Sequence, residues 1–193
     1  MTKGRLEAFS DGVIAILITI MVLELKVPHG ADWATLWELK DKFLSYALSF
    51  VFLGIYWNNH HHLLQATKIV DGRVLWANLH LLFWLSLVSF ATGWMGENHF
   101  ASRPVALYGI VLLLSGVAYY ILAQLLVSVH GADSHLAKAI GKDTKGIISV
   151  ILYLIAAVLA FWIPVASAVI YVSVAIMWLI PDRRIEKVIH HAD

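Results

Sequence analysis

Residues 146–180 form a run of 35 positions without one charged side chain. As a single helix it would be about 52 Å long, well beyond a hydrocarbon core of about 30 Å. Pro164 stands near its middle. Proline lacks a backbone N–H and its ring clashes with the preceding turn, so the run divides into two short spans, 146–163 and 165–180, reversing at the proline. Hydrophobic residues make up 60% of the 193 and charged residues 14%, against about 45–50% and about 25% in ordinary soluble domains. Charges this sparse cannot cover a globule of this size. A disordered chain and a simple soluble enzyme are excluded, which leaves a polytopic, all-α membrane protein.

Four further apolar segments approach the length of a span, about 6–25, 43–64, 74–96 and 104–129, giving six in one transmembrane domain over residues 1–193. The first is uncharged only over 12–23 and so suits a helix enclosed by others. Glu7 and Asp11 interrupt it and no small-residue cleavage site follows, so it reads as retained rather than as a signal peptide. Before the second span, Trp33, Leu36 and Trp37 share a helix face, as an interfacial anchor would. Lys and Arg set the orientation. With the N-terminus inside, the inner segments hold Lys3, Arg5, Lys68, Arg73, Lys138, Lys142, Lys145, Arg183, Arg184 and Lys187, ten in all, and the outer ones Lys26, Lys40, Lys42 and Arg103, four. Both termini are therefore expected to be cytoplasmic. Trp57, Trp76 and Trp178 fall near the inner interface, Trp94 and Trp162 near the outer one.

Other function classes find little support. A net charge of +1 gives no reason to expect nucleic acid, and without cysteine there is no disulfide, thiolate metal site or Cys nucleophile. No nucleophile–base pair, phosphate-binding glycine loop or paired catalytic carboxylates are visible. An enzyme is not expected, nor a cofactor.

Polar chemistry concentrates in the first helix, in Arg5-Leu6-Glu7-Ala8-Phe9-Ser10-Asp11-Gly12. An ionisable group inside a span faces the protein interior and needs a partner. Asn58-Asn59-His60-His61-His62 at the inner end of the second span, and Asn78 and His80 early in the third, lie at a similar depth. The expectation is a hydrogen-bonded network joining Arg5, Ser10 and Asp11 to His60 or His61 and Asn78. Such a network either carries function or only locks helices together. The three consecutive histidines diverge by about 100° each along a helix, so they cannot converge on one metal ion.

Along another side of the first helix runs an aliphatic stripe. At about 100° per residue, Ile20 lies about 40° from Ile16 and Leu23 about 20° to the other side, with Gly12 and Phe9 continuing inward. Gly12, Ala15 and Thr19 form a small-residue strip beside it. Two readings stand: a core or lipid-facing surface, or a pore lined by hydrophobic rings that block water and ions by dewetting.

Arg5-x-x-x-Phe9-Ser10-Asp11, followed by Gly12-Val13-Ile14-Ala15-Ile16 and closed by Val22-Leu23-Glu24-Leu25, resembles the lysosomal potassium-channel family, the transmembrane protein 175 family, in a bacterial member. The likeness continues through Tyr56-Trp57-x-x-His60-His61 and Leu75-Trp76-x-Asn78-Leu79. These motifs cover the first three spans; the last three match only in number and hydropathy. The resemblance implies six helices per chain and a homotetramer in which the first helix of each subunit lines a central pore. It implies potassium conduction without a TVGYG filter, a string this sequence lacks. The family's narrowest ring, the isoleucine seven residues after the Phe of FSD, falls on Ile16. The next rings along the stripe fall on Ile20 and Leu23, and a family Thr falls on Thr19. The Thr19 hydroxyl either meets a passing ion or bonds back to the carbonyl of Ala15.

The partners so implied are a second, third and fourth copy of the chain, the lipid bilayer and permeating monovalent cations. No metal is bound beyond potassium in transit, and the location is a bacterial cytoplasmic membrane. A rival reading is a proton channel or proton-coupled transporter using Asp11 with His60 and His61 as a relay. A third is a non-conducting scaffold whose stripe is packing alone.

Overall fold

The computed structural model describes residues 2–131, 134–141 and 143–179, with 135, 138 and 139 as backbone only. Lys142, Arg183, Arg184, Lys187, His190, His191 and the side chain of Lys138 lie outside it. All regular structure among the described residues is helical: α1 (Lys3–Met21), α2 (Trp33–Trp37), α3 (Lys40–Gln65), α4 (Gly72–Glu97), α5 (Ser102–His130), α6 (His135–Ile140), α7 (Thr144–Leu159) and α8 (Pro164–Leu179). A 3₁₀ turn, Val22–Glu24, extends α1.

Local chemistry sets the boundaries. Asp32, Asp71, Ser134 and Asp143 each accept a hydrogen bond from the backbone N–H three residues on, at 2.7, 3.0, 3.1 and 2.9 Å, and so start α2, α4, α6 and α7. The long apolar run breaks where expected. α7 ends at Leu159, a turn follows, and Pro164 opens α8, where its missing N–H leaves no helical bond unmade. The reversal between α4 and α5 is as tight. It carries positive φ at His99 (49°) and Phe100 (57°), a left-handed conformation that histidine tolerates better than phenylalanine. His99 Nδ1 meets Asp41 Oδ2 at 2.6 Å, fixing the turn against the start of α3.

By length and composition, three segments can cross a membrane: Lys3–Glu24, Gly72–Glu97 and Ser102–His130. α3 is as long as α4, but its C-terminal end, from Asn58 to His62, is polar. α7 and α8 have 16 residues each, about 24 Å at the helical rise.

The helices pack around α4 and α5. α1 lies against α3 and α4; α7 and α8 cover α5, and α8 also reaches α3. Leu81, Leu85, Val88, Leu112 and Tyr108 are fully buried and fill the middle of the bundle. Ser49 Oγ meets Thr92 Oγ1 at 2.6 Å and Tyr108 Oη at 2.9 Å, which ties α3, α4 and α5 at mid-depth. α3 and α4 approach closely at Gly96, where any Cβ would come within 2.8 Å of Lys42 Cα.

Candidate pore-lining helix and its polar anchor

α1 has two faces of opposite character. Leu6, Ser10, Ile14 and Met21 are at most 2% exposed and pack on α3 and α4. The opposite face carries Phe9, Gly12, Ala15, Ile16, Thr19, Ile20 and Leu23, all exposed on the isolated chain. Ile16 is 56% exposed and Leu23 75%. A helix this apolar would ordinarily turn its widest aliphatic stripe to the core. Here the stripe points away from the chain's own bundle, and a serine points in.

That serine is held. His60 Nε2 donates to Asn78 Oδ1 at 2.7 Å, Asn78 Nδ2 donates to Ser10 Oγ at 2.9 Å, and Ser10 Oγ donates to the carbonyl of Leu6 at 2.8 Å. His60, Asn78 and Ser10 have no solvent exposure. The relay joins three helices through side chains and runs in one direction, which fixes the proton on Nε2 of His60. Its Nδ1 is then a buried acceptor with no partner.

The remaining polar residues form separate contacts toward the cytoplasmic end expected from the charges. Asp11 Oδ1 accepts from Trp57 Nε1 at 3.1 Å, and His61 Nδ1 lies 3.2 Å from Glu7 Oε1. Trp57 and His61 stack with ring centroids 6.3 Å apart. Lys3 Nζ donates to the carbonyl of Gln65 at 2.9 Å. The structure thus brings Ser10, His60 and Asn78 together and puts Asp11 and His61 beside them on Trp57 and Glu7. It does not bring Arg5 into the group: Arg5 is exposed and its side chain makes no hydrogen bond or ion pair with a described residue. His80 is also apart, exposed and accepting from Trp84 Nε1 at 2.9 Å. The partners Trp57 and Glu7 are absent from the sequence-based list. Glu7 stands one turn before Asp11 and Trp57 one turn before His61, a spacing that marks them as neighbours.

Thr19 Oγ1 lies 3.0 Å from the carbonyls of both Ala15 and Ile16. Its proton is thereby directed back along the helix, and its lone pairs are left facing out from the exposed side.

The descriptive model of the family "Endosomal/lysosomal potassium channel TMEM175" matches residues 5–88, the span from α1 through most of α4. A potassium channel of Chryseobacterium sp. (strain P1-3) is 56% identical over 187 residues, covering 97% of each chain. A protein of Gallus gallus named endosomal/lysosomal proton channel TMEM175 is 40% identical over 81 residues, which are 35% of this chain and 16% of that protein. Among solved structures, the crystal structure of a lysosomal potassium-selective channel TMEM175 homolog from Chamaesiphon minutus superposes with a TM-score of 0.81 at 29% identity, over 92% of this chain and 96% of that one.

Proposed function

The chain belongs to the TMEM175 family of potassium channels, an integral membrane family of channels rather than enzymes, and from that premise we propose how it conducts. It is a potassium-permeable cation channel, selective for potassium over sodium, in a bacterial cytoplasmic membrane. Six helices span the bilayer, α1, α3, α4, α5, α7 and α8, with both termini inside. Four copies assemble with the exposed stripe of α1 around a central pore. Ile16 forms the narrowest ring and Ile20 and Leu23 the next ones, with no bound cofactor and no metal but the passing potassium.

The observation that carries this reading is the two-faced α1. Its buried face is pinned by the relay from His60 through Asn78 to Ser10, while its aliphatic stripe turns outward from a bundle whose middle is filled with side chains. A ring of isoleucines offers no oxygen to replace an ion's water. A cation passing it either carries its shell or sheds part of it, and potassium holds its water less tightly than sodium. The preference is therefore expected to be modest beside that of a carbonyl filter. Thr19, with its proton on the backbone, offers only lone pairs to the pore and eases rehydration one turn from the ring.

The test is conduction by purified protein in a planar bilayer with potassium on one side and sodium on the other. The reversal potential should shift toward the potassium potential. Ile16→Asn should raise conductance and weaken the shift. An Ile16→Asn channel that conducts like its parent would remove Ile16 from the constriction.

A second reading draws on the Gallus gallus relative, which is named a proton channel. Asp11 and His61 lie near each other on Trp57, and a proton path through them and His60 would lose transport on Asp11→Asn while the fold survives. Strongly pH-dependent flux with little potassium current would favour it.

A further inference from the structure

α3 and α4 run antiparallel, and the hydrogen bond from His60 to Asn78 fixes their register there. Asn58 stands two residues before His60, and His80 two residues after Asn78. Each is therefore displaced about 3 Å from that bond, away from the loop that joins the two helices. Each is also turned about 200° around its own helix, so the two side chains leave the pair on opposite sides at one depth. Both are exposed. α1 packs across α3 and α4 together, so these two sides flank it.

Neither polar group is fully used. His80 Nε2 accepts from Trp84 Nε1 at 2.9 Å, which leaves the neutral ring's proton on Nδ1 with no acceptor among the described residues. The Asn58 amide makes no hydrogen bond with a described residue either. Polar groups turned toward hydrocarbon are costly unless paired. One flank thus offers an N–H donor and the other, at the same depth, a carbonyl that accepts.

The shapes match in the same way. Asn58 edges a groove of about 540 Å³ between α1, α3 and α8. Gly54 leaves a notch in it, where a Cβ would meet nothing within 4 Å. Ala47 stands two helical turns further along the same face of α3. On the His80 side of α4, Phe83 and Phe90 are at the same spacing and are 55% and 65% exposed. Measured along each helix from the His60–Asn78 bond, Gly54 and Phe83 lie about 9 and about 8 Å away, and Ala47 and Phe90 about 20 and about 18 Å. Two small residues, of the kind that lets membrane helices approach closely, stand level with two large rings. Acyl chains can cover both flanks, but they bring no partner for either polar group.

A rotation that closes a ring around α1 sets one flank of each copy against the other flank of the next. We propose that the two flanks dock on each other between copies of this chain. His80 Nδ1 donates to Oδ1 of the neighbouring copy's Asn58, and Phe83 and Phe90 seat over the neighbouring copy's Gly54 and Ala47. This contact rests on the ring of four around α1 given above, and it supplies the surfaces that close it.

The chain has no cysteine, so thiols can be placed singly. Asn58→Cys and His80→Cys, made separately and together in the full-length protein, are treated in the membrane with a short bifunctional thiol crosslinker. Native mass spectrometry of the parent reads the number of chains. The double variant should give a covalent ladder ending at four chains. The two single variants should give a covalent pair when co-expressed and none when either is expressed alone, since each flank meets the other and never itself. Gly54→Leu, added to the double variant, should abolish the ladder by filling the notch, at a position with free space on its own chain. A parent that is a single chain by mass overturns the contact together with the ring of four. A parent of four chains whose double variant gives no ladder, or whose single variants crosslink to themselves, overturns the contact alone. A ladder that survives Gly54→Leu also overturns it, because the rings then do not seat on α3.

Discussion

Between α1, α3 and α4 the decisive contacts run from side chain to side chain: His60 to Asn78, Asn78 to Ser10, Trp57 to Asp11. Around α5, α7 and α8 they mostly run from side chain to backbone. Ser167 donates to the carbonyl of Ala156 at 2.7 Å and Tyr171 to that of Val105 at 3.1 Å, and Gly109 leaves room for Tyr171 and for the methyl of Ala157. Trp178 bonded to Ser149 is an exception in that half, as is Tyr108 of α5 bonded across to Ser49. A bond between two side chains fixes the residue type at both ends. A bond to a carbonyl fixes one end and leaves the other free, provided it is small enough. The first arrangement writes a motif into the sequence and the second writes only hydropathy. The family model accordingly matches residues 5–88.

Substitutions in each half should separate the two kinds of contact. The largest loss is expected from Asn78→Leu, which strands His60 Nε2 in a dry interior and leaves Ser10 Oγ with its bond to the Leu6 carbonyl alone. At about 1–3 kcal/mol for the unsatisfied group and about 0.5–1.5 kcal/mol for the lost bond, the cost is about 1.5–4.5 kcal/mol. Thermal melting should show it as a collapse of the assembled protein, and a variant that melts with its parent would mean the relay does not hold α1. Gly109→Ala comes next. Its methyl meets the Tyr171 hydroxyl, an overpacking that costs about 1–3 kcal/mol. Ser167→Ala removes one bond to a carbonyl and should cost about 0.5–1.5 kcal/mol. If it destabilises as much as Asn78→Leu, the two halves are not held differently.

The smallest effect lies outside the membrane, at the cap of α4. The backbone N–H of Val74, with Arg73 beside it, holds the Asp71 carboxyl below the usual carboxylate range. A depressed pKa stabilises the fold above the unfolded value, about 3.9, and the gain fades as pH falls through the folded value. Asp71→Ala should therefore melt slightly below its parent at neutral pH, and the two curves should converge as the pH drops below about 4.

What the sequence disclosed follows the same division. The proline break, the helical segments and the face of α1 that carries Ile16, Ile20 and Leu23 are all legible from hydropathy and periodicity, because each depends on many residues at once. Ser10, His60 and Asn78 were legible as polar residues at a common depth. Which of their neighbours would join them was not, since Trp57 is read first as a tryptophan at the inner interface and Glu7 as a charge that interrupts the first span, and only the packing of α1 on α3 pairs them with Asp11 and His61. Arg5 looked equally eligible, yet its exposed position on α1 keeps it out of reach of the group. The Ser49, Thr92 and Tyr108 junction could not be foreseen at all, because single hydroxyls in apolar helices bond to their own backbone as readily as to a neighbour.

The central claim is that the outward stripe of α1 is the wall of a potassium pathway. It is met most directly by the bi-ionic reversal potential of purified protein in a planar bilayer, recorded for the parent and for Ile16→Asn. The account predicts a parent potential displaced toward that of potassium and a variant with larger conductance and a smaller displacement. Because Ile16 is mostly exposed on its own chain, the variant should melt close to its parent. Correctly assembled protein that carries protons but no potassium, or a variant indistinguishable from the parent, would contradict it.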